Sequence, residues 1–261
     1  MFRIRIQNKK KCIWYCSAVV SFLLFLLLLG WTNHLANTQD AQQMAGRWSE
    51  KKDVAQISCF FSSKAEVTED TIQSFEYSLK NVLQEASITE TSENPSARLW
   101  VDAYSADGKI TLVNGKNTLD ANAIGIGGDF FMFHPLKLIT GAYFSGNDLM
   151  QDYCIIDQDA AWQLFGSNDV VGMTVYIGNV PHIVTGVVQR PDSRMDKAAG
   201  LNSTVVYVSY ETLSAYGTNN GINHYEIVMP NPVDEFAYGK VKEGIGIDEK
   251  NVEIVENSRR Y

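Results

Sequence analysis

Residues 121–149 read ANAIGIGGDFFMFHPLKLITGAYFSGNDL, and residues 154–191 read CIIDQDAAWQLFGSNDVVGMTVYIGNVPHIVTGVVQRP. The order of apolar runs and glycines in this stretch decides the fold. Tyr153–Asp157 is a short apolar run of strand type. Gln158–Phe165, with Ala160, Ala161, Trp162 and Leu164, is a short helix stopped by Gly166. Met173–Ile177 and Ile183–Val188 flank Gly178-Asn179, a hairpin signal. Phe130, Phe131, Phe144, Trp162, Leu164 and Phe165 read as core anchors. Gly141, Gly166, Gly172 and Gly186 suit tight turns or close backbone approach.

Working outward, Val54–Phe61 is β-rich and loosely alternating. Thr68 then precedes Glu69 and Asp70, an acid-biased helix start. Ile72, Phe75, Leu79, Val82 and Leu83 recur at helical spacing and predict an amphipathic helix over 69–86. Residues 90–96 form a turn-rich break. Arg98–Tyr104 and Lys109–Val113 read as two strands joined by a hairpin at Ser105-Ala106-Asp107-Gly108, with a further turn at Asn114-Gly115. Leu119–Ile126, Val205–Val208, Tyr225–Met229 and Val252–Val255 are further strands. Tyr210–Tyr216 and Val233–Glu243 are helix-like. Hairpins outnumber βαβ units, so the class is α+β, with a length that allows two lobes.

Five bases, Arg3, Arg5, Lys9, Lys10 and Lys11, precede an uncharged run from Ile13 to Leu29 that Gly30 and Trp31 extend. At about 1.5 Å per residue the 19 residues span roughly 28 Å, the hydrocarbon thickness of a bilayer. Trp14, Tyr15 and Trp31 sit at its ends, where amphipathic rings favour the interface. The run exceeds a signal-peptide core and no Ala-x-Ala follows it, so it reads as an uncleaved anchor. The basic flank places the N-terminus in the cytoplasm. The expected organisation is therefore a basic segment 1–12, an anchor 13–31, a linker or helical stalk 32–53, a domain 54–257 and a tail 258–261. Of 22 bases, 17 remain beyond the anchor against 30 acids, a net of −13. That balance excludes nucleic acid as the main partner.

No catalytic, cofactor-binding or metal-binding set emerges. Gly125-Ile126-Gly127-Gly128 resembles a dinucleotide loop only superficially, because Phe130 stands at the third glycine and Asp129 would repel a pyrophosphate. It reads as a strand-to-helix turn. His34, His134, His182 and His224 lack H-x-x-x-H or cysteine partners at ligand spacing. No G-x-S-x-G elbow is present. Asp157 and Asp159 flank a helix start, where capping accounts for them. Asn202-Ser203-Thr204 fits a glycosylation sequon, idle in a bacterium. Cys59 and Cys154 lie in apolar strand-like runs; a disulfide is open to them, but two buried thiols are the simpler reading. The chain reads as a non-enzyme.

The stretch 121–190 resembles the MacB-like periplasmic core domain of ABC-transporter permeases, the family that includes FtsX-type and lipoprotein-releasing permeases. The elements that carry the resemblance are GDFF, HPLKLITGAYFSGND, IIDQDAAWQLFG, DVVGMTVYIG and HIVTGVV, in the family's order. Ala142 stands where the family often has Arg, and Val170-Val171 where Pro is common. The resemblance implies a two-lobed outer domain that contacts substrate or partner and relays motion in export. It implies an ABC ATPase and transmembrane permease subunits as partners, the lipid bilayer around 13–31, and leaves a homo-oligomer open. It also implies a single-pass bacterial cell-membrane protein with its main domain outside. The sequence has no second apolar run and no G-x-x-x-x-G-K-[ST] loop, so it reads as a truncated permease or a one-pass accessory subunit. A membrane-anchored sensor or envelope-interaction module without transport role is the other reading.

Overall fold

The computed structural model describes residues 2–37, 40–49, 53–89, 98–191, 198 and 203–257. The break expected at 90–96, Asn202 of the sequon and the tail 258–261 lie outside the described residues. Two compact units are present, one ending at Asp40 and one starting at Ala41.

The first unit is helix α1, Phe2–Asn37. Its segment Ile13–Leu35 is long and apolar enough to cross a membrane, and none of it is buried. Uncharged side chains all around the helix leave no polar face to meet water.

The second unit contains eleven strands: β1 Val54–Phe61, β2 Val101–Asn114, β3 Asn117–Gly128, β4 Leu138–Gly141, β5 Tyr153–Asp157, β6 Thr174–Ile177, β7 Val180–Val188, β8 Val205–Ser209, β9 Thr218–Asn219, β10 His224–Pro230 and β11 Val252–Glu256. Its helices are α2 Met44–Trp48, α3 Glu69–Glu85, α4 Phe130–Phe133, α5 Gln158–Phe165, α6 Tyr210–Tyr216 and α7 Phe236–Gly244. The strands form one sheet in the order β11-β1-β10-β2-β3-β8-β5-β7-β4, with β6 pairing β2 and β7, and β9 pairing β2. Among the described residues, only β3–β8 and β5–β7 are parallel. The fold is mixed α+β, as expected.

The two expected lobes appear as two cores on one face of a continuous sheet. At one end, Ile72, Phe75, Leu79 and Leu83 of α3 and Val241 of α7 cover Ile57, Tyr225 and Ile227. At the other, Ala160 and Leu164 of α5 and Leu213 of α6 cover Ile110, Ile156, Val184 and Val206. A third core on the opposite face gathers Met44, Phe130, Phe131, Phe133 and Phe144 over Val101, Ile155 and Val228. Cys59 and Cys154 are free, buried in two different cores, and burial pushes each thiol up to about 12.

Three expectations are corrected. There is no hairpin at Ser105–Gly108: β2 runs straight through it and turns at Gly115, in the left-handed region. The polar look of that stretch has a tertiary cause. A Cβ on Gly108 would meet the Thr218 carbonyl oxygen at 2.4 Å, so the glycine admits β9, and Asp107 accepts a bond from Asn223. Trp162 is not a core anchor, being 58% exposed while its neighbours Ala161 and Leu164 are buried. An eight-residue helix buries one stripe, and Trp162 falls outside it. Finally, residues 41–49 of the expected linker pack into the second unit, with Met44 buried and its N–H donating to Gln56 Oε1 at 2.9 Å.

Candidate functional site

Alternation along β1 and β10 sends Gln56, Ser58, Phe60, His224 and Glu226 to the face that carries the third core. Ser58 lies opposite Glu226, and Phe60 opposite His224. The Phe60 and His224 rings stack at 4.7 Å. His134 arrives from the other side. It caps the C-terminal end of α4, where Pro135 disfavours further helix, and its ring packs 4.6 Å from that of Phe130.

The result is a polar cluster in an apolar setting. Glu226 is 3% exposed and accepts from Ser58 Oγ at 3.0 Å and Gln56 Nε2 at 3.5 Å. Ser58 Oγ in turn accepts from Asn257 Nδ2 at 2.7 Å. His134 Nε2 stands 2.5 Å from Glu226 Oε2, and His224 Nε2 stands 3.9 Å from Oε1. Burial alone would raise the Glu226 carboxyl, but the two imidazoles and the Ser58 hydroxyl outweigh it and hold the group below its ordinary range. Burial lowers the His224 imidazole, against the attraction of Glu226.

A cleft of about 440 Å³ opens beyond Pro135, lined by Ile124, Leu136, Lys137, Arg190, Val205 and Tyr207. At its floor Asp157 serves three partners. Its Oδ1 accepts from Ala160 N at 2.7 Å, capping α5 as expected, while Oδ2 accepts from Val205 N at 3.1 Å and Arg190 Nε at 3.3 Å. Arg190 also pairs with Asp159. These charges neutralise one another and hold β8 to the start of α5, leaving an apolar cleft rimmed by Lys137.

A half-buried acidic pair, Glu76 and Asp102, lies on the opposite face. Tyr225 OH donates to Asp102 Oδ2 at 2.9 Å, and the Asp102 carboxyl shares a hydrogen bond with Glu76. Burial and the Asp102 charge push the Glu76 carboxyl up to about 8.

The glycine-rich turn has a packing explanation. Gly127 lies directly opposite Tyr104 in the sheet, and a Cβ there would meet the Tyr104 ring at 2.0 Å. Gly128 is left-handed at φ 64°, and Asp129 pairs with Arg98 at 2.5 Å. His182 bonds to Thr212 Oγ1 at 3.1 Å, but that hydroxyl donates to the Gln151 carbonyl and Ser209 caps α6, which is a structural arrangement. Sequence reasoning passed over the His134–His224–Glu226 cluster because 90 residues separate its histidines. The only local signal was alternation, with His224 and Glu226 two apart on a strand.

An apolar N-terminal helix followed by a sheet-rich domain fits the class of membrane-anchored proteins with an extracytoplasmic domain. Residues 20–254 match the MacB-like periplasmic core domain, and the chain belongs to that family of ABC-transporter permease domains. Over 99 residues it is 32% identical to the "Macrolide export ATP-binding/permease protein MacB" of Chromobacterium violaceum, covering 37% of this chain and 15% of that protein. Over 120 residues it is 31% identical to the protein of the same name from Shewanella sp. strain W3-18-1, covering 44% of this chain and 18% of that one. The chain thus matches less than a fifth of the length of these relatives. Among solved structures, the periplasmic region of MacB from Actinobacillus actinomycetemcomitans aligns with a TM-score of 0.48 at 20% identity, covering 77% of this chain and 88% of that one. The extracellular domain of the noncanonic ABC-type transporter YknZ from Gram-positive bacteria aligns with a TM-score of 0.47 at 18% identity, covering 77% and 99%.

Proposed function

We propose that this chain is the membrane-anchored outer domain of an ABC-transporter permease or of its accessory subunit, and that it contacts substrate or partner and relays mechanical motion in export. One observation carries the reading: the family match begins inside the apolar helix at residue 20 and ends inside β11 at residue 254. The role is non-catalytic, with ATP hydrolysis supplied by a separate ABC ATPase domain and the path by transmembrane permease helices. Five bases ahead of the span support a cytoplasmic N-terminus and an outer sheet domain. The continuous sheet supports the relay. Strand β2 extends over 14 residues and lends side chains to all three cores, so displacement at one end is transmitted by a stiff hydrogen-bonded ladder. The apolar cleft beside Lys137 supports contact with an apolar ligand or peptide segment.

The test is cross-linking in native membranes followed by tag purification of the full chain. An ABC ATPase and a multi-span permease in the eluate are expected. Recovery of a sensor kinase with no ATPase overturns the reading and favours the envelope-sensing alternative.

A further inference from the structure

We propose that His134, His224 and Glu226 form a binding site for a divalent, zinc-class metal ion. The three side chains offer ligand atoms that all lie within 4.8 Å of one another. Two imidazoles and one carboxylate are a ligand set that zinc accepts, with a fourth position left for water.

The arrangement is unsatisfied as it stands. His134 Nε2, His224 Nε2 and Glu226 Oε2 are buried atoms without a hydrogen-bond partner. His134 and Glu226 meet at 2.5 Å as an imidazole–carboxylate pair. His134 Nε2 and Glu226 Oε2 face each other, His224 Nε2 is buried beside them without a hydrogen-bond partner, and a shared cation would satisfy all three. In a tetrahedral site with bonds of about 2.0–2.1 Å, neighbouring ligand atoms stand roughly 3.3 Å apart. His134 Nε2 stands 2.5 Å from Glu226 Oε2, inside that value, and the 4.8 Å limit on the whole set lies outside it.

The surroundings resemble those of a metal ligand set. Ser58 and Gln56 donate to Glu226 Oε1 and leave Oε2 for the ion, and Asn257 fixes Ser58 in turn. Second-sphere bonds of this kind orient a ligating carboxylate. Phe60 and Phe130 hold the two imidazole planes by ring contact. The Glu226 side chain is 4% exposed, whereas His134 and His224 side chains are 24% and 20% exposed. The two rings are thus partly exposed although their Nε2 atoms are buried. A bound ion would clamp the end of α4 to the central strand β10 and stiffen the thinly covered face of the sheet.

The experiment uses the full chain in detergent, stripped with a chelator and dialysed, then titrated with zinc chloride by calorimetry. Cobalt(II) absorption reports the coordination. One zinc per chain and a raised melting temperature are expected. Cobalt should give the intense visible bands of a four-coordinate site. H224A and E226Q should each weaken zinc binding more than a hundredfold, and S58A about tenfold. H34A should bind as the parent does. Because a change at the buried Glu226 can disturb folding, H134A, at a partly exposed position, is the second variant, and melting in chelator verifies that each variant is folded. No zinc binding by the folded parent overturns the proposal. So does equal binding by the H134A/H224A double variant. Neither result touches the transport reading, which does not depend on the site.

Discussion

The two faces of the sheet are built on different scales. One is covered by four helices, α3, α5, α6 and α7, whose buried side chains are mostly aliphatic. The other is covered by α2 and α4, of five and four residues, and relies on aromatic rings. The thinly covered face carries the polar groups: the His134–His224–Glu226 cluster, with its imidazoles partly exposed, and the cleft beside Lys137. Thick cover stabilises, whereas thin cover leaves chemistry near the surface. The difference teaches where to look for function in this domain, since long amphipathic helices are committed to packing.

The largest expected effect tests the thick cover. Leu83, the last buried position of α3, is fully buried, and Leu83→Ala should cost about 2–5 kcal/mol in denaturant unfolding. A loss below about 1 kcal/mol would mean that α3 is not the main support of its core. Next comes the centre of the sheet. Gly127→Ala should cost about 1–3 kcal/mol, since its methyl group must displace the Tyr104 ring. Adding Tyr104→Ala should recover part of that loss; a purely additive double variant would show that the ring is not the obstacle.

A third prediction concerns the half-buried acidic pair between α3 and β2, Glu76 and Asp102. Because the folded pKa of Glu76 lies above the ordinary carboxylate range, the folded protein holds a proton there that the unfolded chain releases. Stability from this group should fall as pH rises from the ordinary carboxylate range to about 8. The melting temperature of the parent should drop over that window, and Glu76→Gln should flatten the slope. Identical slopes in both proteins would show that the proton resides elsewhere. The smallest effect is Trp162→Ser, on the exposed side of α5, which should change stability by less than about 0.5 kcal/mol. A large loss would reveal that Trp162 is covered by a partner in the assembled protein.

Long, strongly periodic elements were legible in the sequence. Helix α3 spans Glu69–Glu85 as its spacing indicated, and α5 ends at Gly166 with Asp157 capping its start. The apolar helix was legible from its absence of charge. Two cues misled for the same reason. Ser105–Gly108 carries turn residues because β9 approaches Gly108, and Trp162 looks apolar while lying off the buried stripe of a short helix. Local composition does not record which neighbour approaches.

By itself the sequence determined the long apolar helix, the α+β class, the ordered motifs of the family and most element types. These depend on charge, periodicity and capping within a few residues. Only the tertiary structure decided that β2 is one long strand shared by all three cores, and that Cys59 and Cys154 lie apart. It alone brought His134 to His224 and Glu226. Such pairings depend on sheet register and on where α4 lands, which couple residues far apart in the chain, and no local rule encodes that distance.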